Sequence, residues 1–298
     1  MASLRETIYS MYILLNFLAF LPLRILQMIG YLGAWVLYQT NSSIHRITKI
    51  NIQLAFPDLN TEQQKHIIRK SIQSQCLSYL ECIKFWGMPA KYNLSRINQI
   101  HGIEYLEHAL NEKKGVIVVV PHFGSWELLN AWLCTQTQPM IMYKPNKSKD
   151  LNRYILEARQ KTNAILVPID ETGIRAIYKH LKQGGLTVIL PDHLPKPSGG
   201  IYANFFNQNV LSGTIVPKLA QKTQCNVVGI SCIRTNQDSY FDIYCTSVSS
   251  EVSSKDVPTG VLCLNQHMEQ MIASAPAQYI WSYKRFRNCY GNVNPYKS

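Results

Sequence analysis

His122 and Glu127 close the run Gly115-Val-Ile-Val-Val-Val-Pro-His122-Phe-Gly-Ser-Trp-Glu127. A histidine near neutral pH can take a proton from a hydroxyl. A carboxylate bonded to one ring nitrogen would fix its tautomer and leave the other nitrogen free. The pair therefore has the makings of a general base with its orienting group, without a protein nucleophile. The main-chain N–H groups of Phe123–Ser125 are expected to steady an oxyanion. Spacing alone favours a structural loop histidine followed by an ordinary helix-start carboxylate. The surrounding elements have to decide.

Val116 to Val120 is a continuous β-branched run, which predicts a strand buried on both faces. It would deliver His122 to its carboxyl end. Ser125 is expected to cap a helix over Trp126–Gln136, with Glu127 in the first turn, where the helix dipole favours negative charge. Further strands are expected at Pro139–Tyr143, Ala164–Val167, Leu186–Leu190, Asn226–Ile233 and Tyr240–Tyr244. Helices are expected at Asp150–Lys161, Thr172–Gln183 and Val216–Thr223. Upstream, Thr61 to Gln64 reads as a capping box opening a helix to about Phe85, and Ile103–Leu110 as a shorter one. The alternation predicts an α/β fold with a central mixed sheet flanked by helices. Ligands in such sheets sit beyond the carboxyl ends of strands, where His122 and Asp192 both fall.

The first 40 residues have a different character. Ile8 to Leu23 is nearly free of charge and as a helix would cover roughly 24 Å, short of an about 30 Å hydrocarbon core. Pro22 suits the first turn of a second helix, apolar over Ile25–Tyr38. A signal peptide lacks a clear cleavage site here, and a buried core helix is an open alternative. The reading adopted is a membrane anchor over 1–40, either a short tilted span or a helical hairpin in the interface, followed by one α/β domain over 41–298. His45, Arg46 and Lys49 follow directly, which would put the body on the cytoplasmic side.

Lys and Arg number 30 against 18 Asp and Glu, a net charge of +12. That surplus suits an anionic membrane or an acidic protein partner. Nucleic acid is a poor match, because no zinc-finger, RNP or basic-zipper pattern occurs. The eight cysteines form no C-x-x-C and several sit in apolar runs, so they read as reduced thiols. His193 has no companion ligands at metal spacing, and neither a metal nor another cofactor is expected. G-x-S-x-G, P-loop and dinucleotide fingerprints are missing.

The block His122-Phe-Gly-Ser-Trp-Glu127 resembles the His-x4-Glu block of the bacterial lipid A late acyltransferases (lauroyl and myristoyl acyltransferases), within the wider glycerolipid acyltransferase superfamily. The resemblance extends over nearly the whole chain. Asn51 to Pro57 is similar to the segment after that family's anchor. Tyr143-Lys144-Pro145 stands where the family has a Tyr/Phe-Arg-Pro-like block, and Arg159 matches the arginine on the next helix. Asp192-His193 resembles an Asp-Gln block with His for Gln. Gly200 to Asn207 resembles a Gly-x-x-Val-x-Phe-Phe-Gly block. Gln278 to Phe286 resembles a terminal Trp-x-His-Arg-Arg block, with Tyr283 for His and Lys284 for Arg.

The resemblance implies transfer of a fatty acyl chain from acyl carrier protein to a hydroxyl on an acyl chain of a lipid A precursor, at the cytoplasmic face of the inner membrane. His122 and Glu127 would be the catalytic dyad. A phosphorylated acceptor needs cations, for which Lys144, Arg159, Lys284 and Arg285 are candidates. Lys284, Arg285 and Arg287 alternate with Tyr283 and Phe286 as a headgroup interface would. Asp192 is expected to bind or to brace a cation such as Arg159. Trp126, Phe205 and Phe206 are candidate walls of an acyl groove. Glycerol-phosphate or lysophospholipid acyl transfer is the alternative chemistry. A lipid-binding protein without catalysis is the alternative of another class.

Overall fold

A computed structural model describes residues 2–236, 239–292 and 294–297, with the side chains of 2–10 and 292 left aside. The chain opens with helices α1 (Ala2–Phe20), α2 (Leu23–Gln39), α3 (Ser43–Ala55), α4 (Thr61–Gly87) and α5 (Ala90–Leu94). Strand and helix then alternate: β1 (Ile97–His101), α6 (Ile103–Asn111), β2 (Val116–Val119), α7 (Trp126–Gln136), β3 (Met140–Tyr143), α8 (Lys149–Gln160), β4 (Ile165–Pro168), α9 (Glu171–Lys182) and β5 (Leu186–Ile189). A hairpin of β6 (Gly200–Phe205) and β7 (Gln208–Gly213) follows, then α10 (Ile215–Thr223), β8 (Asn226–Arg234), β9 (Phe241–Ser247) and α11 (Val257–Ser274). Seven strands form one sheet in the order β1-β9-β8-β2-β5-β3-β4. Only β8 and β9 pair antiparallel within it, so the sheet is mixed, as expected.

β2 shows why its sequence is apolar throughout. Successive side chains of a strand point to opposite faces. Ile117 and Val119 join a core with Ile177, Val216, Met268 and Trp281. Val116, Val118 and Val120 join a second core with Phe85, Leu106, Leu129 and Leu133. Helices cover both faces, so neither set of side chains meets water.

Two local expectations shift. The capping box begins one residue earlier: Asn60 accepts from the Gln63 N–H at 2.9 Å and the Gln63 side chain accepts from the Asn60 N–H at 3.0 Å. Ser125 does precede α7, but its hydroxyl makes no capping bond and is buried without a partner.

α1 and α2 meet at a 115° bend, and no single helix among the described residues is long and apolar enough to cross a membrane. One side of the pair is docked. Leu15, Ala19, Leu23, Leu26 and Ala34 are buried, and the Lys84 ammonium of α4 donates to the carbonyls of Ala19 at 2.6 Å and Leu21 at 2.8 Å. A cation on these terminal carbonyls caps α1 at its negative end. The other side exposes Phe17, Phe20, Met28, Leu32 and Trp35.

Candidate active site

The site forms where β2 and β5 end side by side. Val119 pairs with Ile189 in parallel register, and His122 and Asp192 each lie three residues beyond that pair. Asp192 is buried, 1% exposed, and uses both oxygens on one residue. Its Oδ1 takes the His122 ring at Nδ1 (2.9 Å) and its Oδ2 takes the His122 main-chain N–H (3.0 Å). Among the described residues no partner is bonded to His122 Nε2.

Electrostatics agree with this geometry. Burial alone would push the His122 imidazole pKa down. The Asp192 charge and hydrogen bond, assisted by the Glu127 charge, more than offset it and hold it above its ordinary value. Burial acts to raise the Asp192 pKa, yet His122 holds the carboxyl well below the usual range. The pair thus favours a charged Asp192 whose partner ring donates from Nδ1.

Glu127 has a different task from the one expected. It stands in the first turn of α7, as predicted. Its Oε2 accepts from the Trp86 indole N–H at 2.8 Å, and its Oε1 accepts from Arg159 at 3.2 Å. The two carboxylates have exchanged partners relative to the sequence expectation: Asp192 orients His122, and Glu127 braces Arg159. The physical reason is register. A carboxylate one strand away reaches Nδ1, while the first turn of α7 faces α4 and α8.

The expected oxyanion donors are also committed elsewhere. Phe123 N–H donates to Pro121 O (2.7 Å), Gly124 N–H to Gln278 O (3.0 Å) and Ser125 N–H to Cys232 O (2.7 Å). Gly124 has φ +65°, and a Cβ there would meet Cys232 O at 2.1 Å. Only glycine permits so close an approach. The turn carrying His122 is thus bolted to β8 and to the segment 278–280, where Ile280 N–H donates to His122 O at 3.1 Å.

Two cavities meet beside the pair. One, about 580 Å³, is lined by His122, Leu129, Leu133, Ile141, Val188 and Leu190 among others. The other, about 530 Å³, is lined by Met11 and Leu15 of α1 together with Tyr79, Cys82, Ile83 and Ile155. Trp126, Glu127, Met142, Lys144 and Arg159 line both. Lys144 is exposed at this junction. Arg159 lies over the Tyr143 ring at 5.2 Å, and its Nε is buried without a partner.

The remaining expected residues lie apart from both cavities. Arg285 is 2% exposed; it donates to Leu211 O at 2.9 Å and Ser212 Oγ at 2.8 Å and covers the Phe205 ring. Its expected substrate-binding place gives way to a structural one, because the basic run turns this side chain into the core. Phe205 and Phe206 are core residues as well, not groove walls. Lys284 is exposed and sits over the Tyr296 ring at 5.6 Å.

His122, Asp192 and His193 bring possible metal-ligand atoms within 4.8 Å of one another. The two imidazoles stack face to face, with centroids 3.9 Å apart and planes 4° apart. Nitrogen lone pairs lie in the ring planes, so in this stack they run side by side and do not converge on one ion at about 2.0–2.1 Å.

Sequence reasoning missed Trp86 and the partnership of Asp192 with His122. The last had a usable signal, since Asp192 ends an apolar strand just as His122 does.

The chain also has relatives of known description. Residues 2–288 match the family model for bacterial lipid A biosynthesis acyltransferases. The lipid A biosynthesis lauroyltransferase of Escherichia coli K12 is 22% identical over 243 residues, 81% of this chain and 78% of that protein. The palmitoleoyltransferase of the same organism is 25% identical over 247 residues, with the same coverage of 81% and 78%. A lipid A biosynthesis acyltransferase of Haemophilus influenzae is 26% identical over 278 residues, 90% of this chain and 86% of that protein. With a family model spanning nearly its whole length, the chain belongs to the bacterial lipid A biosynthesis acyltransferase family.

Proposed function

We propose that this acyltransferase moves a fatty acyl chain from the thioester of acyl carrier protein to a hydroxyl on an acyl chain of a lipid A precursor. His122 is the general base. Nε2 takes the hydroxyl proton while the oxygen attacks the thioester carbonyl carbon. The tetrahedral oxyanion collapses, the carbon–sulfur bond breaks, and the departing thiolate receives the proton from His122. Asp192 holds the ring in the required tautomer and stabilises the imidazolium between the two transfers. Glu127 acts with His122 by holding Arg159, whose guanidinium faces the charge that develops on the carbonyl oxygen or the acceptor phosphate. Lys144 adds positive charge at the same junction.

The observation that carries this reading is the His122–Asp192 bond beside a cavity that also holds Glu127, Lys144 and Arg159. Two apolar cavities meeting at the cations give separate room for a donor chain and an acceptor chain. The one walled by Met11 and Leu15 suits the acceptor, because α1 carries the exposed apolar side chains that would lie in a membrane. Docked on α4 yet apolar outside, the α1–α2 pair reads as an interfacial element of the inner membrane, with the body on the cytoplasmic face. A +12 surface would speed encounter with an acidic carrier protein. Neither transfer nor orientation calls for a metal or another cofactor.

The test is transfer from acyl carrier protein to a lipid A precursor, read by mass spectrometry. His122→Ala and Glu127→Ala should each abolish product while circular dichroism stays unchanged. Near-normal turnover by either variant would remove it from the mechanism.

A further inference from the structure

The His122 ring is enclosed more fully than a lone base requires. Asp192 fixes one edge through Nδ1 and the main-chain N–H. A bond at one edge leaves a ring free to rock about that bond, because a terminal torsion to an sp² ring has broad wells. The faces must oppose the rocking. His193 lies flat on one face, 3.9 Å between centroids and 4° between planes. Tyr283 lies behind His193 at 4.0 Å and 22°. Trp126 approaches His122 at 5.5 Å and 64°.

Tyr283 is itself anchored at two points. Its hydroxyl accepts from the Leu194 N–H at 3.0 Å, and its carbonyl accepts from the Asn51 side-chain amide at 2.8 Å. It therefore ties down the loop that carries His193 as well as backing the ring. These two residues are also among the positions where the chain departs from the blocks it resembles.

We infer that His193 and Tyr283 form a positioning pair for His122, a two-ring backing that holds the imidazole plane so that Nε2 meets the acceptor hydroxyl. Tyr283 acts through His193. The inference rests on His122 being the general base proposed above. His193 stays neutral in this scheme: although part of it reaches solvent, partial desolvation between the two flanking rings and the nearby His122 lower its pKa. A neutral aromatic face suits the transient imidazolium, whereas a second cation would repel it.

Steady-state transfer by four variants tests the pair. His193→Ala should lower kcat by about tenfold to a hundredfold, the cost of a small misplacement of the reacting group, with KM for both substrates within about twofold. His193→Phe keeps a flat ring and should stay within about threefold of the parent enzyme. Tyr283→Ala should cost less than His193→Ala, and the double variant should be no worse than His193→Ala alone. Ring-labelled histidine NMR gives a readout that does not depend on turnover. The His122 signal, assigned by loss in His122→Gln, should carry a ring-current shift that disappears in His193→Ala and persists in His193→Phe.

His193→Phe as impaired as His193→Ala would mean that an imidazole nitrogen is needed, and would overturn the inference. So would a loss confined to KM, multiplicative losses in the double variant, or an unmoved His122 signal in His193→Ala. If the parent enzyme transfers no acyl group, the functional reading fails, while the NMR result still decides whether the stack holds the ring.

Discussion

Among the described residues, two carboxylate–guanidinium pairs are largely buried, and they are built differently. Glu81 and Arg234 form a fork, Nε to Oε1 at 2.8 Å and Nη2 to Oε2 at 2.6 Å. Ser74 and Ser78 accept from the same guanidinium, and Gln27 donates to the carboxylate. The Arg234 side chain is 5% exposed and that of Glu81 1%. Glu127 and Arg159 share one bond at 3.2 Å, with side chains 8% and 17% exposed respectively and an Arg159 Nε without a partner. The first pair is surrounded by partners and lines neither of the two cavities. The second is left under-bonded where those cavities meet. A buried charge that keeps bonding capacity beside a cavity can spend it on substrate.

Substitutions in the two pairs should separate these roles. Arg159→Ala should lower transfer by about 10²–10³-fold, the usual loss when a donor to a developing oxyanion is removed. Its melting temperature should change far less than that of the other pair's variants, and a loss of fold in place of turnover would erase the contrast. Glu81→Ala strands a buried guanidinium and should cost about 3–5 kcal/mol in denaturant unfolding. Turnover per folded molecule should then stay near normal. Arg159→Lys keeps the charge but not the planar donor set, and an about tenfold loss would show that geometry counts as well as charge. Lys284→Ala removes an exposed cation away from both cavities and should alter stability by under about 0.5 kcal/mol, with unchanged KM for the acceptor. A raised KM would bring that residue back to the substrate.

The sequence reveals the elements of this fold better than their neighbours. β2 is legible because burial on both faces makes every residue apolar, and it leads directly to His122. β1 is not legible. Its residues Ile97-Asn-Gln-Ile-His101 are mostly exposed at a sheet edge, so no hydrophobic pattern marks it. The β6–β7 hairpin turns at Phe206 and Asn207 with φ of 48° and 58°. Asn207 is at home there, but Phe206 hides the turn, and its N–H is held by Glu269 at 2.8 Å. The site was half visible. His122 and Asp192 each end a strand, but 70 positions of chain separate them, and only the strand order makes them neighbours. Arg285 shows the converse: a basic run looks like surface until the backbone turns one member inward.

The pH dependence of kcat/KM in the parent enzyme and in Asp192→Asn tests the central assignment most directly. His122 must be neutral to act as base, and Asp192 holds its pKa above the ordinary value. Activity should therefore fall as pH drops through that raised pKa. In Asp192→Asn the supporting charge is gone, so the acid limb should move to lower pH and the plateau should fall by about two orders of magnitude or more. An acid limb that stays in place, with a plateau close to that of the parent enzyme, would contradict Asp192 as the partner of His122.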